Sequence, residues 1–153
     1  QLMLGINKLA TDLMLFSTSE FGFVSLPQNF LTGSSIMPQK NNYDVLEIAR
    51  GKYGIISGYA VAIAATIANL PSGYNRDFQL TKEPLIKGIE TTLETLKIMA
   101  AVMKNLKFNE KRCKEAMTPE LYATQKAYEL VKKGVPFREA YRIIGERSGR
   151  KES

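Results

Sequence analysis

Between Thr32 and Asn42 the chain reads TGSSIMPQKNN: two adjacent serines after a glycine, then a lysine and two asparagines. Gly33 allows the backbone to turn so that the amides of Ser34 and Ser35 can point at one anion, an arrangement in which oriented N–H groups bind negative charge without a charged side chain. Lys40 adds a full positive charge, and Thr32, Ser34 and Asn42 offer further hydrogen bonds. A loop so equipped can hold a carboxylate, above all one that gains negative charge in a transition state. It can also let a serine act as a base. The hydroxyl is a very weak acid, so its alkoxide exists near neutrality only beside positive charge and amide dipoles, and Lys40 is the candidate to supply the charge. The same composition fits an ordinary flexible Gly/Ser loop, and residue types alone leave both readings open.

What the rest of the chain lacks narrows the chemistry. Among its 153 residues there is no histidine and one cysteine, Cys113. Metal-assisted and Ser-His-Asp mechanisms therefore cannot be completed within this sequence. No internal disulfide and no cysteine-based metal cage can form; with no secretory signal visible, a reducing cytoplasm is expected. The 21 basic and 15 acidic residues leave a net charge of +6, compatible with nucleic acid, an anionic membrane or small anionic substrates. The densest basic run, Lys104, Lys107, Lys111, Arg112 and Lys114, is interrupted by Glu110 and Glu115 and reads as a solvated helix face, so no nucleic-acid partner is expected. A hydrophobic content of 44% is enough for a real core.

The elements that must position the loop are helical. Leu2, Ile6, Leu9, Leu13 and Phe16 recur at steps of four and three, one apolar stripe of a first helix that starts at or before Gln1. With no capping residue ahead of it, this helix reads as part of something longer. From Phe21 to Asn42 the periodicity fails, and the TGSSIMPQKNN motif lies in that loop. Asp44 is a candidate cap for a second helix running from about Val45 to about Leu70, uncharged after Lys52. Its Ala, Gly, Ser and Thr content gives little gain from lipid, so no membrane span is expected, and small residues on every side suit a central helix in an oligomeric bundle. LPSGYNRDFQLTKEP (Leu70 to Pro84) breaks that helix at Pro71 and Gly73, with adjacent Arg76 and Asp77 expected to pair. A third stripe runs through Leu85, Ile89, Leu93, Leu96, Met99 or Ala100, Met103 and Leu106. Shorter helices follow, one capped by Asn109, one started by Thr118 and Pro119 and ended by Gly134, and a last one from Pro136 to about Gly145. The expected fold is all-α: a long-helix bundle over 1–106 that carries the loop, then a small all-α domain over 107–153.

GSSIMPQKNNYDVLE resembles the signature loop of the fumarase/aspartase superfamily, matching its pattern at Gly33, Ser34, Ser35, Met37, Pro38, Lys40 and Asn42. SSIMPQK, LPSGYNRDFQLTKEP and VKKGVPFREAYRIIG (Val131 to Gly145) together resemble the argininosuccinate lyase family within it, over nearly the whole chain. The resemblance implies reversible β-elimination of argininosuccinate to arginine and fumarate, with no cofactor and no metal, by a homotetramer whose subunits bundle their central helices and build each site from three chains. It implies that Ser34 removes the proton beside the succinyl carboxylate, that Lys40 and Asn42 stabilise the dianion, and that Glu47 orders the site. Thr32 and Ser35 would join the substrate-binding residues, and Tyr74, Gln79 and Lys82 would contact the arginine portion. Glu47 also fits a plain first-turn carboxylate, and the other three fit simple loop capping.

Two departures stand out. Asn41 and Tyr43 replace a basic residue and a helix-starting proline of the family pattern, which bears on how the loop joins its helix. Tyr141 stands where the family's PFREAH ends in histidine, and the family's histidine-bearing segments, one of which is thought to supply or position the general acid, have no counterpart here. The chain therefore reads as the C-terminal portion of such an enzyme, inactive alone. Rival readings are adenylosuccinate lyase or aspartase, a non-catalytic relative of the lens-crystallin kind, and a basic helical nucleic-acid binder.

Overall fold

The computed structural model describes residues 1–33 and 41–147. It divides into two compact units, Gln1–Asn109 and Glu110–Ser153.

The first unit is built on three helices, α1 (Leu2–Phe16), α2 (Asp44–Ile67) and α3 (Lys82–Asn105). α2 and α3 run antiparallel: Val45, Ile48 and Lys52 face Glu94, Thr95 and Ile98, while further along a Cβ placed on Gly88 would lie 3.8 Å from the ring of Tyr59. The core gathers at one end of this arrangement. Met3, Ile6, Ala10 and Leu13 of α1, Val24 and Leu26 beyond it, Leu46 and Ala49 of α2, and Met99 and Val102 of α3 form one buried cluster. The period of α1 is as expected, but its buried face is rotated: Met3 and Ala10 are buried while Leu2 and Leu9 are exposed. The reason is that α1 packs chiefly on α2, which selects the 3, 6, 10, 13 face. In α3 only Thr95, Met99 and Val102 are buried, whereas Leu85, Ile89 and Leu93 on the expected stripe are exposed by about half, because the core covers only the last three turns.

The segment between α1 and α2 has more order than its failed periodicity implies. β1 (Val24–Ser25) pairs antiparallel with β4 (Lys107–Phe108), and β2 (Thr32–Gly33) pairs with β3 (Asn41–Asn42). The β1–β4 pairing, extended by an Asn109 N–H to Phe23 carbonyl bond of 2.9 Å, holds residues 107–109 in the first unit. Asp44 is not the cap of α2. The N-cap is Tyr43, without a side-chain cap bond, and Asp44 lies inside the first turn. A 3₁₀ helix, Arg76–Thr81, joins α2 to α3, and among the described residues no ion pair links Arg76 to Asp77.

The second unit contains α4 (Glu110–Glu115), a 3₁₀ turn (Pro119–Tyr122), α5 (Ala123–Lys132) and α6 (Phe137–Arg147). On α4, Lys114 lies 3.5 Å from Glu110 and Lys111 lies 4.0 Å from Glu115, solvent-exposed i,i+4 pairs that account for much of the basic run as a wetted face. α5 ends at Gly134, whose φ of +92° suits a residue without Cβ. Its N–H bonds the Val131 carbonyl at 2.9 Å while the Val135 N–H reaches Leu130 at 3.1 Å, closing the helix and freeing Pro136 to start α6. Ala127 of α5 and Ala140 and Ile144 of α6 are buried in this unit.

Candidate active site

Ser34, Ser35 and Lys40 lie outside the described residues; both ends of their segment are in view. Thr32 pairs with Asn42 and Gly33 with Asn41, so the chain leaves and returns through a two-rung antiparallel stem. Three further contacts brace it. Thr32 Oγ1 donates to Asp44 Oδ2 at 2.5 Å, Gln28 Nε2 donates to Asn41 Oδ1 at 3.4 Å, and the ring of Tyr43 packs against the buried core. The Tyr43 carbonyl accepts the Leu46 N–H at 2.8 Å and the Glu47 N–H at 3.2 Å, so α2 begins immediately after the stem. Where the family pattern has a proline, an aromatic side chain anchored in the core fixes the entry to the helix.

Asn42 and Glu47 line one open cleft of about 510 Å³ together with Met14, Ser17, Thr18, Ser19, Asn41 and Tyr43. Glu47 is exposed and stands in the first turn of α2, where the free amides of a helix start favour a carboxylate. The opposite wall is the end of α1. There Ser17 Oγ donates to the Met14 carbonyl at 2.8 Å and Thr18 Oγ1 to the Leu15 carbonyl at 2.9 Å, so these hydroxyls turn lone pairs rather than hydrogens outward. Just beyond, the Glu20 carboxyl is held below its ordinary range, chiefly by its own backbone N–H. The Ser-Thr-Ser run was the available signal for this wall, but in sequence it reads only as the end of a helix.

Tyr74, Gln79 and Lys82 form a second group. Gln79 Nε2 donates to Tyr74 Oη at 2.8 Å, Tyr74 stacks on Phe78 with ring centroids 6.4 Å apart, and Lys82 opens α3 one turn after Gln79. All three are exposed, Tyr74 by 74%. This group lies beyond the C-terminal end of α2, whereas Asn42 and Glu47 lie at its start. At 1.5 Å per residue the helix separates them by about 30 Å, more than one small substrate spans. Within one chain the structure brings Asn42 to Glu47 and Tyr74 to Gln79, and keeps the two pairs apart. Among the described residues no group of His, Cys, Asp and Glu could hold a metal ion.

The family profile described as Lyase matches residues 1–58, and the one described as Argininosuccinate lyase C-terminal matches residues 120–152. A solved structure of an EDDS lyase variant with bound fumarate superposes on 94% of this chain, and on 29% of its own, with a TM-score of 0.79 at 25% identity. The helical fold and the matched profile are those of the fumarase/aspartase class of lyases. Curated relatives narrow this: the argininosuccinate lyase of Sorangium cellulosum is 48% identical over 94% of this chain, and that of Schizosaccharomyces pombe 45% over 94%. The chain belongs to the argininosuccinate lyase family. It spans about a third of the length of these relatives, 33% and 31% respectively.

Proposed function

We propose that this chain supplies the base-bearing portion of an argininosuccinate lyase, which eliminates fumarate from argininosuccinate to release arginine. The observation that carries the reading is the 48% identity to an argininosuccinate lyase sustained over 144 residues. Ser34, Ser35 and Lys40 enter this reading from the sequence. Asn42 and Glu47 stand beside the return of the loop and would stabilise and order the charged end of the substrate. Tyr74, Gln79 and Lys82 would bind the arginine end, and the lone pairs and N–H groups of such a cluster match a guanidinium and an α-carboxylate. The first unit would be the end of a central helical domain and the second the small C-terminal one. No cofactor or metal enters the reading.

The separation of about 30 Å between the two groups favours sites shared between subunits. So does the apolar surface of the helices: Ile55 and Val61 of α2 and Leu85, Ile89 and Leu93 of α3 are each about half exposed or more. A homotetramer with bundled central helices would cover those faces and bring one chain's base to another's arginine cluster. Among the described residues no helix is long and apolar enough to cross a membrane, and the proposed setting is cytoplasmic. The test is complementation. The chain alone should release no fumarate from argininosuccinate by absorbance, whereas mixing it with the upstream two-thirds of the Sorangium cellulosum enzyme should restore release from argininosuccinate and not from adenylosuccinate. Turnover by the isolated chain, or a preference for adenylosuccinate, would refute the reading.

Product inhibition of that complemented enzyme tests the arginine cluster. Gln79→Ala should weaken inhibition by arginine by about 1–3 kcal/mol, the cost of leaving a polar group unpaired, with inhibition by fumarate little changed. An equal loss for both products would remove Gln79 from the arginine end.

A further inference from the structure

We propose that Thr32 and Asp44 form a latch that holds the stem of the loop against α2, so that both are positioning residues and Thr32 does not bind substrate. Where it bears on catalysis, this inference rests on the lyase reading above. The bond between Thr32 Oγ1 and Asp44 Oδ2, 2.5 Å long, joins residues twelve apart in sequence. A threonine hydroxyl has a single hydrogen. While Asp44 accepts it, Thr32 has only lone pairs left to offer, and these repel a substrate carboxylate instead of binding it. The substrate-binding role expected of Thr32 from the sequence is therefore at odds with its observed partner.

The latch has a mechanical reason. The stem consists of two residue pairs, Thr32 with Asn42 and Gly33 with Asn41, and so short a ladder is marginal by itself. A hydrogen bond to an ionised carboxylate is among the stronger kinds, and this one ties β2 to the first turn of α2. Two residues after Asp44, Leu46 is in the buried core, so the stem is fastened through Asp44 to the rigid part of the unit. Asn42 lies directly opposite Thr32 in the ladder, and Glu47 follows Asp44 by three residues on the same helix. Displacing Thr32 therefore displaces Asn42 relative to Glu47, the two candidate residues that share the cleft. Both the Thr32–Asp44 bond and the other brace, Gln28 to Asn41, are exposed, but the latter is longer at 3.4 Å, which leaves Thr32–Asp44 as the shorter tie. Asp44 does not act as a helix cap; in the first turn of α2, where free amides favour a carboxylate, it is placed to accept the Thr32 hydroxyl.

Amide hydrogen exchange on the full chain tests the latch without reference to activity. Thr32→Val and Asp44→Ala should each speed exchange of the amides at 32–33 and 41–42 by about tenfold or more, Thr32→Ser should keep them protected, and the double variant should exchange no faster than either single one. Far-UV circular dichroism guards against global unfolding. Unchanged exchange in a folded Thr32→Val variant would overturn the latch. In the complemented enzyme, Thr32→Val and Asp44→Ala should lower kcat alike and non-additively, with KM for argininosuccinate little changed. A rise in KM confined to Thr32→Val would instead return Thr32 to the substrate and overturn the proposal. If the unsubstituted complemented enzyme shows no turnover, the lyase reading fails, while hydrogen exchange still decides the latch.

Discussion

Ser34→Ala, placed in the complemented enzyme, is expected to lower turnover of argininosuccinate by at least about a hundredfold while KM changes little. A base acts on the proton only as the transition state forms, so its removal leaves ground-state binding largely intact. The motivation is the order Gly33-Ser34-Ser35 with Lys40 close behind, now framed by a stem whose rungs, Thr32 with Asn42 and Gly33 with Asn41, bring the two ends of the segment together. Ser35→Ala is the informative comparison. If the assignment is right, Ser35→Ala affects binding more than turnover and is the milder change. Fumarate absorbance at saturating and limiting substrate separates the two parameters, and near-normal turnover in Ser34→Ala, or a larger loss in Ser35→Ala, would move the base elsewhere.

The helices were legible because apolar residues at steps of three and four fix a helix without reference to anything distant. Which face is buried was less so. The period of α1 is the same whether Leu2 and Leu9 or Met3 and Ala10 turn inward, and only the position of α2 selects the latter. The strands were not legible at all, since two residues carry no alternation and β1 finds its partner at Phe108, more than eighty residues away. The site divided along the same line. Residues carried by a compact motif, such as Asn42, Glu47, Tyr74 and Gln79, could be named from sequence by resemblance. The Ser17–Ser19 wall and the bond from Thr32 to Asp44 depend on segments meeting in space, and no spacing rule announces them. The resemblance also says nothing of Tyr43, a departure from the pattern whose ring proves to be packed on the core.

Leu46→Ala should be the most damaging single change to the first unit, costing about 2–5 kcal/mol of stability. Leu46 is 1% exposed and sits where α1, the β1 segment, α2 and α3 converge, so truncation both removes buried surface and leaves a cavity that four elements must close around. It also follows Asp44 by two residues and precedes Glu47, so the same change loosens the support of the candidate site. Urea unfolding at one fixed protein concentration should show a lower midpoint with an unchanged slope, the mark of lost stability without a change in the surface exposed. Ile48→Ala supplies the contrast. Two residues further along the same helix, Ile48 is 61% exposed in the single chain, and there its truncation should fall within about 0.5 kcal/mol. Raising the concentration until the chain associates should leave the Leu46 penalty in place. If partner subunits cover the apolar faces of α2 and α3, a penalty for Ile48→Ala should emerge only in the associated state. Equal penalties at all concentrations would show that Ile48 is covered within the single chain.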